Sequence, residues 1–290
     1  MPACGLEGFR TGKATGANVI NGTPTVRLEL ESRPECLTLV RGALIGIGET
    51  LAFEPELLDD VKTAVSEACS NVALHAYEGQ AGPLAVVIAV GHNRVQAAVH
   101  DRGVGIRAVS PAEDRMGVGL AVITALAKRA EFISAPGEGT EVRMEFAGHI
   151  AKGPLIAQLP ESMSIDGHVP RFELGGRVVV SLSTAALLGP VLGQIARGMA
   201  AGARFSVERI RELPALATTL AAHTDAAAGE DPLAFALSAA TRRLELAIGP
   251  LRTGSSAGLS ADLGELVAGM GVDPADDSET LRLVLSEPRS

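Results

Sequence analysis

The hydrophobic and polar positions of this chain change period several times, and each change marks an element. Thr25 to Glu31, TVRLELE, alternates as a half-buried strand does. Leu37, Val40, Leu44 and Ile47 then fall on one helical face. Ser32, with Pro34 and Glu35 behind it, reads as a capped start for that helix. Pro55 opens a second helix, whose apolar stripe is Val61, Val65, Ala68 and Val72. Gly79 to Pro83 is a turn. PLAVVIAV and RVQAAVH, hinged at His92-Asn93, form a hairpin, and a helix over Gly119 to Ala130 leads to strands near Phe132 and over Glu141 to Phe146. The pattern predicts an α+β fold, a two-layer sandwich with a mainly antiparallel sheet and helices on one face.

The first 24 residues hold no period and many turn formers, so residues 1–24 read as a flexible lead-in to a domain over 25–147. Residues 148–176 shift to Gly, Pro and Ser and read as a linker. Beyond it the chain echoes itself. PLAVVIAVGHNRVQAAVHDRG from Pro83 aligns without a gap on PLAFALSAATRRLELAIGPLR from Pro232, VVVSLS echoes VRLELE, and TLRLVL echoes EVRMEF. Self-similarity of this kind indicates a second copy of one fold over 177–287. In that register Asp101 meets Pro250 and Gly103 meets Arg252, while the Glu67 and Asn71 positions fall near Leu216 and Leu220. The second copy is therefore expected to be degenerate.

Composition narrows the class. In 290 residues, 47% are hydrophobic, enough for real cores over two domains. The formal net charge of −9, with no dense Lys/Arg block, makes nucleic acid a poor direct partner. Three cysteines, Cys4, Cys36 and Cys69, lack metal-ligand spacing and suit reduced thiols in a cytoplasm. No apolar run reaches membrane-spanning length, and the first residues lack the apolar core of a signal peptide. The expectation is a cytoplasmic protein with a protein partner and no membrane.

The candidate chemistry sits between Leu58 and Phe146. Glu67, Asn71 and His75, at i, i+4 and i+8, share the helix face beside the apolar stripe. Asp101-Arg102-Gly103-Val104-Gly105 puts a carboxylate after the apolar run Val95 to Val99, before a loop whose glycines permit close backbone approach. Gly117-Val118-Gly119-Leu120 opens a helix, where free amides and the helix dipole suit an anion. Taken singly, Asp101 also fits a solvated turn, Glu67 a solvated helix face and Arg115 an ordinary surface charge.

Together, the E-x-x-x-N helix (Glu67, Asn71), the D-x-G-x-G box (Asp101, Gly103, Gly105), the G-x-G box (Gly117, Gly119) and the late Gly139-Thr140 pair resemble the GHKL, or Bergerat-fold, ATP-binding proteins. Within that group the likeness is to the anti-sigma factor serine/threonine kinases. The resemblance implies ATP and Mg²⁺ as cofactors. Asp101, supported by Thr140, would read the adenine amine, and Asn71 would hold Mg²⁺. The box around Gly117, Gly119 and Leu120 would take the phosphates, with Arg115 at the terminal phosphate and His75 shaping the pocket floor. Glu67 would be the general base. The implied partners are a sigma factor and a STAS-domain anti-anti-sigma protein. The segment between Gly105 and Gly117 is shorter than in the best-known anti-sigma kinases, which keeps open an ATP-gated protein-binding switch without phosphoryl transfer. Because such kinases pair as homodimers, a chain with two copies is expected to be a pseudo-dimeric monomer.

Overall fold

A computed structural model describes residues 24–105, 115–135, 137–151, 176–227, 232–257, 259, 263 and 267–287. The expected N-terminal lead-in up to residue 23, most of the expected 148–176 linker and residues 106–114 lie outside the described residues.

The first half runs β1 (Thr25–Glu31), α1 (Cys36–Leu51), α2 (Pro55–Asn71), a π-helical turn (Val72–Ala76), β2 (Pro83–Gly91), β3 (Arg94–Asp101), α3 (Arg115–Leu126), β4 (Arg129–Ala135) and β5 (Gly139–Ala147). The second half runs β6 (Val178–Leu182), a 3₁₀ turn, α4 (Leu188–Gly202), α5 (Val207–Ala227), β7 (Leu233–Ala240), β8 (Arg243–Arg252), β9 (Val267–Pro274) and β10 (Ser278–Ser286). All ten strands join one antiparallel sheet in the order β4-β5-β3-β2-β1-β6-β7-β8-β10-β9. Outward from the central β1–β6 pair, the first half reads β1, β2, β3, β5, β4 and the second β6, β7, β8, β10, β9. The mixed α+β architecture expected from the periodicity is the one found.

Alternation decides which side chains meet the helices. Leu84, Val86 and Ile88 of β2, Val95, Ala97 and Val99 of β3, and Val142, Met144 and Phe146 of β5 enter the same buried cluster as Val40, Leu44 and Ile47 of α1 and Val61, Val65 and Ala68 of α2. That cluster continues without a break into Val180, Val191, Ile195, Phe235, Leu246 and Leu283 of the second half. The opposite sheet face carries small residues at its centre, Ala85, Ala89 and Ala98, and pairs such as Arg27–Glu29 and Arg143–Glu141, each at 2.8 Å.

Two details depart from the sequence reading. The first helix begins at Cys36 with no side-chain cap, and the Ser32 hydroxyl instead accepts the N–H of Gly82 at 3.0 Å, fastening the β1 end to the turn before β2. A partner fifty residues away is invisible to a local capping pattern. The third helix spans Arg115–Leu126 rather than Gly119–Ala130: it starts before the glycine box, and Arg129 and Ala130 already pair with β5.

Candidate functional site

Helix α2 starts on Pro55, whose missing N–H costs nothing in a first helical turn, and buries Leu57, Val61, Ala64, Val65 and Ala68 against the sheet. Packing that stripe turns Glu67 and Asn71 toward α3. There a Cβ on residue 119 would stand 3.2 Å from Glu67 Oε2 and 3.3 Å from both Asn71 amide atoms, so Gly119 leaves the room these polar groups occupy. Such a juxtaposition gives one wall a carboxylate and an amide oxygen beside the start of a helix.

After Asn71 the helix widens into a π turn, Val72–Ala76, a local irregularity that often accompanies functional sites. The turn after Asp101 seats on its end. Val104 donates its N–H to the Ala76 carbonyl at 3.0 Å, and a Cβ at Gly103 would lie 2.1 Å from that same oxygen, so no side chain fits there. Gly105 has φ +79°, in the left-handed region that favours glycine.

A pocket opens between these pieces. Its walls are Ala68, Asn71, Val72, His75 and Ala76 from α2 and its π turn, Val99 from β3, Leu120 from α3 and Val142 from β5; Asp101, Gly105 and Thr140 close one end. Asp101 is 2% exposed, and its Oδ1 accepts the Gly103 N–H at 2.7 Å. Burial raises the Asp101 pKa above the usual carboxylate value, and backbone hydrogen bonds from Gly103 and Thr140 only partly offset it. A buried carboxylate facing an apolar slot suits a flat ring that presents an N–H donor.

The structure thus brings Asn71, His75, Asp101, Gly105, Leu120 and Thr140 around one cleft, with Glu67 and Gly119 packed beside Asn71 and Gly103 against Ala76. Gly117 lies in the first turn of α3; the Arg115 side chain is outside the described residues. Ser134 was not legible in the sequence. Its hydroxyl lies 3.1 Å from the Gly139 carbonyl and 3.2 Å from Thr140 Oγ1, bracing the pocket end from β4, and only the β4–β5 register brings it there. Cys69 is fully buried, and burial holds its thiol well above the ordinary pKa; Cys36 is pushed up to about 12 by the same cause. Buried thiols held protonated suit packing rather than nucleophilic chemistry. Among the described residues no group of three His, Cys, Asp or Glu side chains could hold a metal, so a cation here would rely on one amide oxygen and on oxygens of its ligand.

Residues 30–146 match the family model described as histidine kinase-like ATPase domain. The anti-sigma F factor of Thermoanaerobacter sp. (strain X514) is 30% identical over 132 residues, which cover 42% of this chain and 92% of that protein. This chain belongs to the GHKL, or histidine kinase-like ATPase, family. The serine-protein kinases RsbW of Bacillus thuringiensis (strain Al Hakam) and Bacillus cereus (strain AH820) are each 30% identical over 79 residues, 27% of this chain. The chain spans about half, 49%, of the length of these curated relatives. Among solved structures, the histidine kinase domain of the Erythrobacter litoralis EL346 blue-light activated histidine kinase overlaps 32% of this chain and 45% of that one, at 19% identity and a TM-score of 0.26. The family match covers the half that contains the pocket. Among the described residues no helix is long and apolar enough to cross a membrane.

Proposed function

We propose that this GHKL protein binds ATP·Mg²⁺ in the Asp101 pocket and acts as an anti-sigma-factor-like protein serine/threonine kinase toward a STAS-type anti-anti-sigma partner in the cytoplasm. The observation that carries this is the joint placement of a buried, pocket-lining Asp101 and of Glu67 and Asn71 against the start of α3. Bound ATP supplies the transferable phosphoryl group. Asp101 accepts a hydrogen bond from the adenine amine, with the Thr140 hydroxyl beside it. The apolar walls Val72, Val99 and Val142 exclude water from the ring. Asn71 offers its amide oxygen to Mg²⁺, and the amides that begin α3 favour the phosphate charge. Glu67 takes the proton from an incoming serine hydroxyl.

The same reading makes the second half a degenerate copy with no ATP site. In the register of the repeated segments Pro250 falls at the Asp101 position, and the buried Leu216 and Leu220 fall near those of Glu67 and Asn71. Glu279 takes the place of Thr140 and is 4% exposed. It accepts the N–H of Gly254 at 2.6 Å and of Ser256 at 2.7 Å and lies 3.2 Å from the Ser255 hydroxyl. Burial would raise its pKa, but the bonds from this turn outweigh it and hold the carboxyl low. Three donors from the turn after β8 thus occupy this carboxylate within the protein.

Calorimetric titration with ATP·Mg²⁺ and a radiolabel transfer assay test the site together. One ATP should bind per chain. Asp101→Asn should lose a charge-assisted hydrogen bond, about 1.5–3 kcal/mol or roughly ten- to a hundredfold in affinity. Glu67→Gln should bind normally yet transfer phosphate about 10²–10⁴-fold more slowly. Unchanged affinity in Asp101→Asn would remove the adenine assignment; binding without transfer in the wild type would leave an ATP-gated switch.

A further inference from the structure

The chain has a single tyrosine and no tryptophan, and that tyrosine closes the functional helix. Tyr77 follows the π turn directly, and its ring lies against backbone: a Cβ on Gly82 would be 2.4–2.5 Å from ring atoms Cε1, Cδ1 and Cζ. Gly82 is itself held from behind, since Ser32 donates its N–H to the Gly82 carbonyl at 2.8 Å and accepts the Gly82 N–H on its hydroxyl at 3.0 Å. With the ring caged, the phenol hydroxyl has a set position. It donates to the Pro83 carbonyl at 2.5 Å and accepts the Arg102 N–H at 2.8 Å.

That second bond falls on the residue after Asp101. The three amides that follow Asp101 are each taken: Arg102 by Tyr77 Oη, Gly103 by the Asp101 carboxylate and Val104 by the Ala76 carbonyl. Two of the three acceptors belong to Ala76 and Tyr77, at the end of the segment that also carries Glu67 and Asn71. Burial keeps the phenol neutral by pushing its pKa to about 12, so it donates and accepts at any working pH.

We infer that Tyr77 is a positioning residue for base selection, clamping the turn after Asp101 so that the carboxylate meets an adenine amine and rejects a guanine. The inference rests on the ATP reading of the pocket. An ionised carboxylate only accepts hydrogen bonds. Adenine presents its exocyclic amine, a donor, where guanine presents a carbonyl, an acceptor. Discrimination therefore depends on the carboxylate holding one direction, and a site built to match one hydrogen-bond pattern rejects the wrong partner by leaving buried groups unpaired. Without the phenol oxygen, the Arg102 amide loses its acceptor and the turn can tilt. Asp101 then reaches a guanine through water or turns away from an adenine.

The test is calorimetric titration of the full-length wild type and of Tyr77→Phe with ATP·Mg²⁺ and GTP·Mg²⁺, with hydrogen exchange at the Arg102 amide in the free protein. Phenylalanine keeps the ring on Gly82 and removes both bonds. The ATP-over-GTP ratio should fall about tenfold, the scale set by one or two buried hydrogen bonds, while Arg102 exchange speeds up. Ser32→Ala loosens the cage yet leaves the phenol's bonds, so it should lower Tm and keep the ratio. If Tyr77→Phe lowers Tm like Ser32→Ala but retains the wild-type ratio, the role is structural and the inference fails. If the wild type binds neither nucleotide, the reading of the pocket fails instead.

Discussion

Asp101 is a carboxylate whose environment favours its neutral form, and this gives the site a pH signature. Burial raises its folded-state pKa above the unfolded value, so the ionised group costs stability at neutral pH, and that cost is lifted as pH falls through the raised value. Nucleotide binding should run the other way, because the acceptor is the ionised form. ATP affinity should weaken as pH drops through the raised Asp101 pKa, in a range where ordinary carboxylates are still charged. Binding near that raised pKa should then release a proton, detectable as a dependence of the titration heat on the buffer's ionisation enthalpy. Asp101→Asn should abolish that dependence; if it persists in the mutant, another group carries the titration. The position of Asp101 at a strand end was legible from the apolar run before it. Thr140 was legible beside it through the late Gly-Thr pair; Ser134 was not, because its hydroxyl reaches Thr140 only through the β4–β5 pairing.

Helix α3 meets α2 at Gly119, and local propensity there opposes the site. An alanine inside a helix is favoured over glycine by about 0.8–1 kcal/mol, so Gly119→Ala should hold or raise Tm. Its methyl would nevertheless crowd Glu67 Oε2 at 3.2 Å and Asn71 at 3.3 Å, moving the proposed base and Mg²⁺ ligand. Phosphoryl transfer should fall by at least about tenfold, since misplacement of reacting groups by even part of an ångström is costly. Matched Tm and transfer measurements decide this, and a variant as active as the wild type would separate Gly119 from the site. Elements of this kind are legible in the sequence where one period dominates, as in α2 and the β2–β3 hairpin. A distant partner hides their bounds. Ser32 looks like a cap but bonds to Gly82, and the α3 boundaries moved because Arg129 and Ala130 are drawn into pairing with β5.

The two halves share one sheet and one buried cluster, and the seam between them is built for close approach. Val26, Arg27, Leu28 and Glu29 of β1 pair with β6, so this strand has a partner on both sides rather than an open edge. Above them α1 crosses α4, where a Cβ on Gly46 would lie 2.7 Å from the Pro190 carbonyl and one on Gly198 would lie 3.1 Å from Leu39. Neither strand pairing nor helix crossing leaves a trace in hydrophobic period. The repeated segments hinted at two copies but not that they share a sheet. If the second half stands in for a partner subunit, the β1 surface through which two first halves could pair is already occupied. The full-length chain should then scatter light as a monomer near 29.7 kDa and unfold in one cooperative transition. Gly46→Val should push α1 from α4, destabilise the chain by about 1–3 kcal/mol of overpacking and leave the ATP pocket's affinity unchanged while the fold holds. Two resolved transitions in the wild type would mean halves that merely neighbour each other. A full-length dimer joined through two first halves would mean that β6 and α4 do not replace a partner.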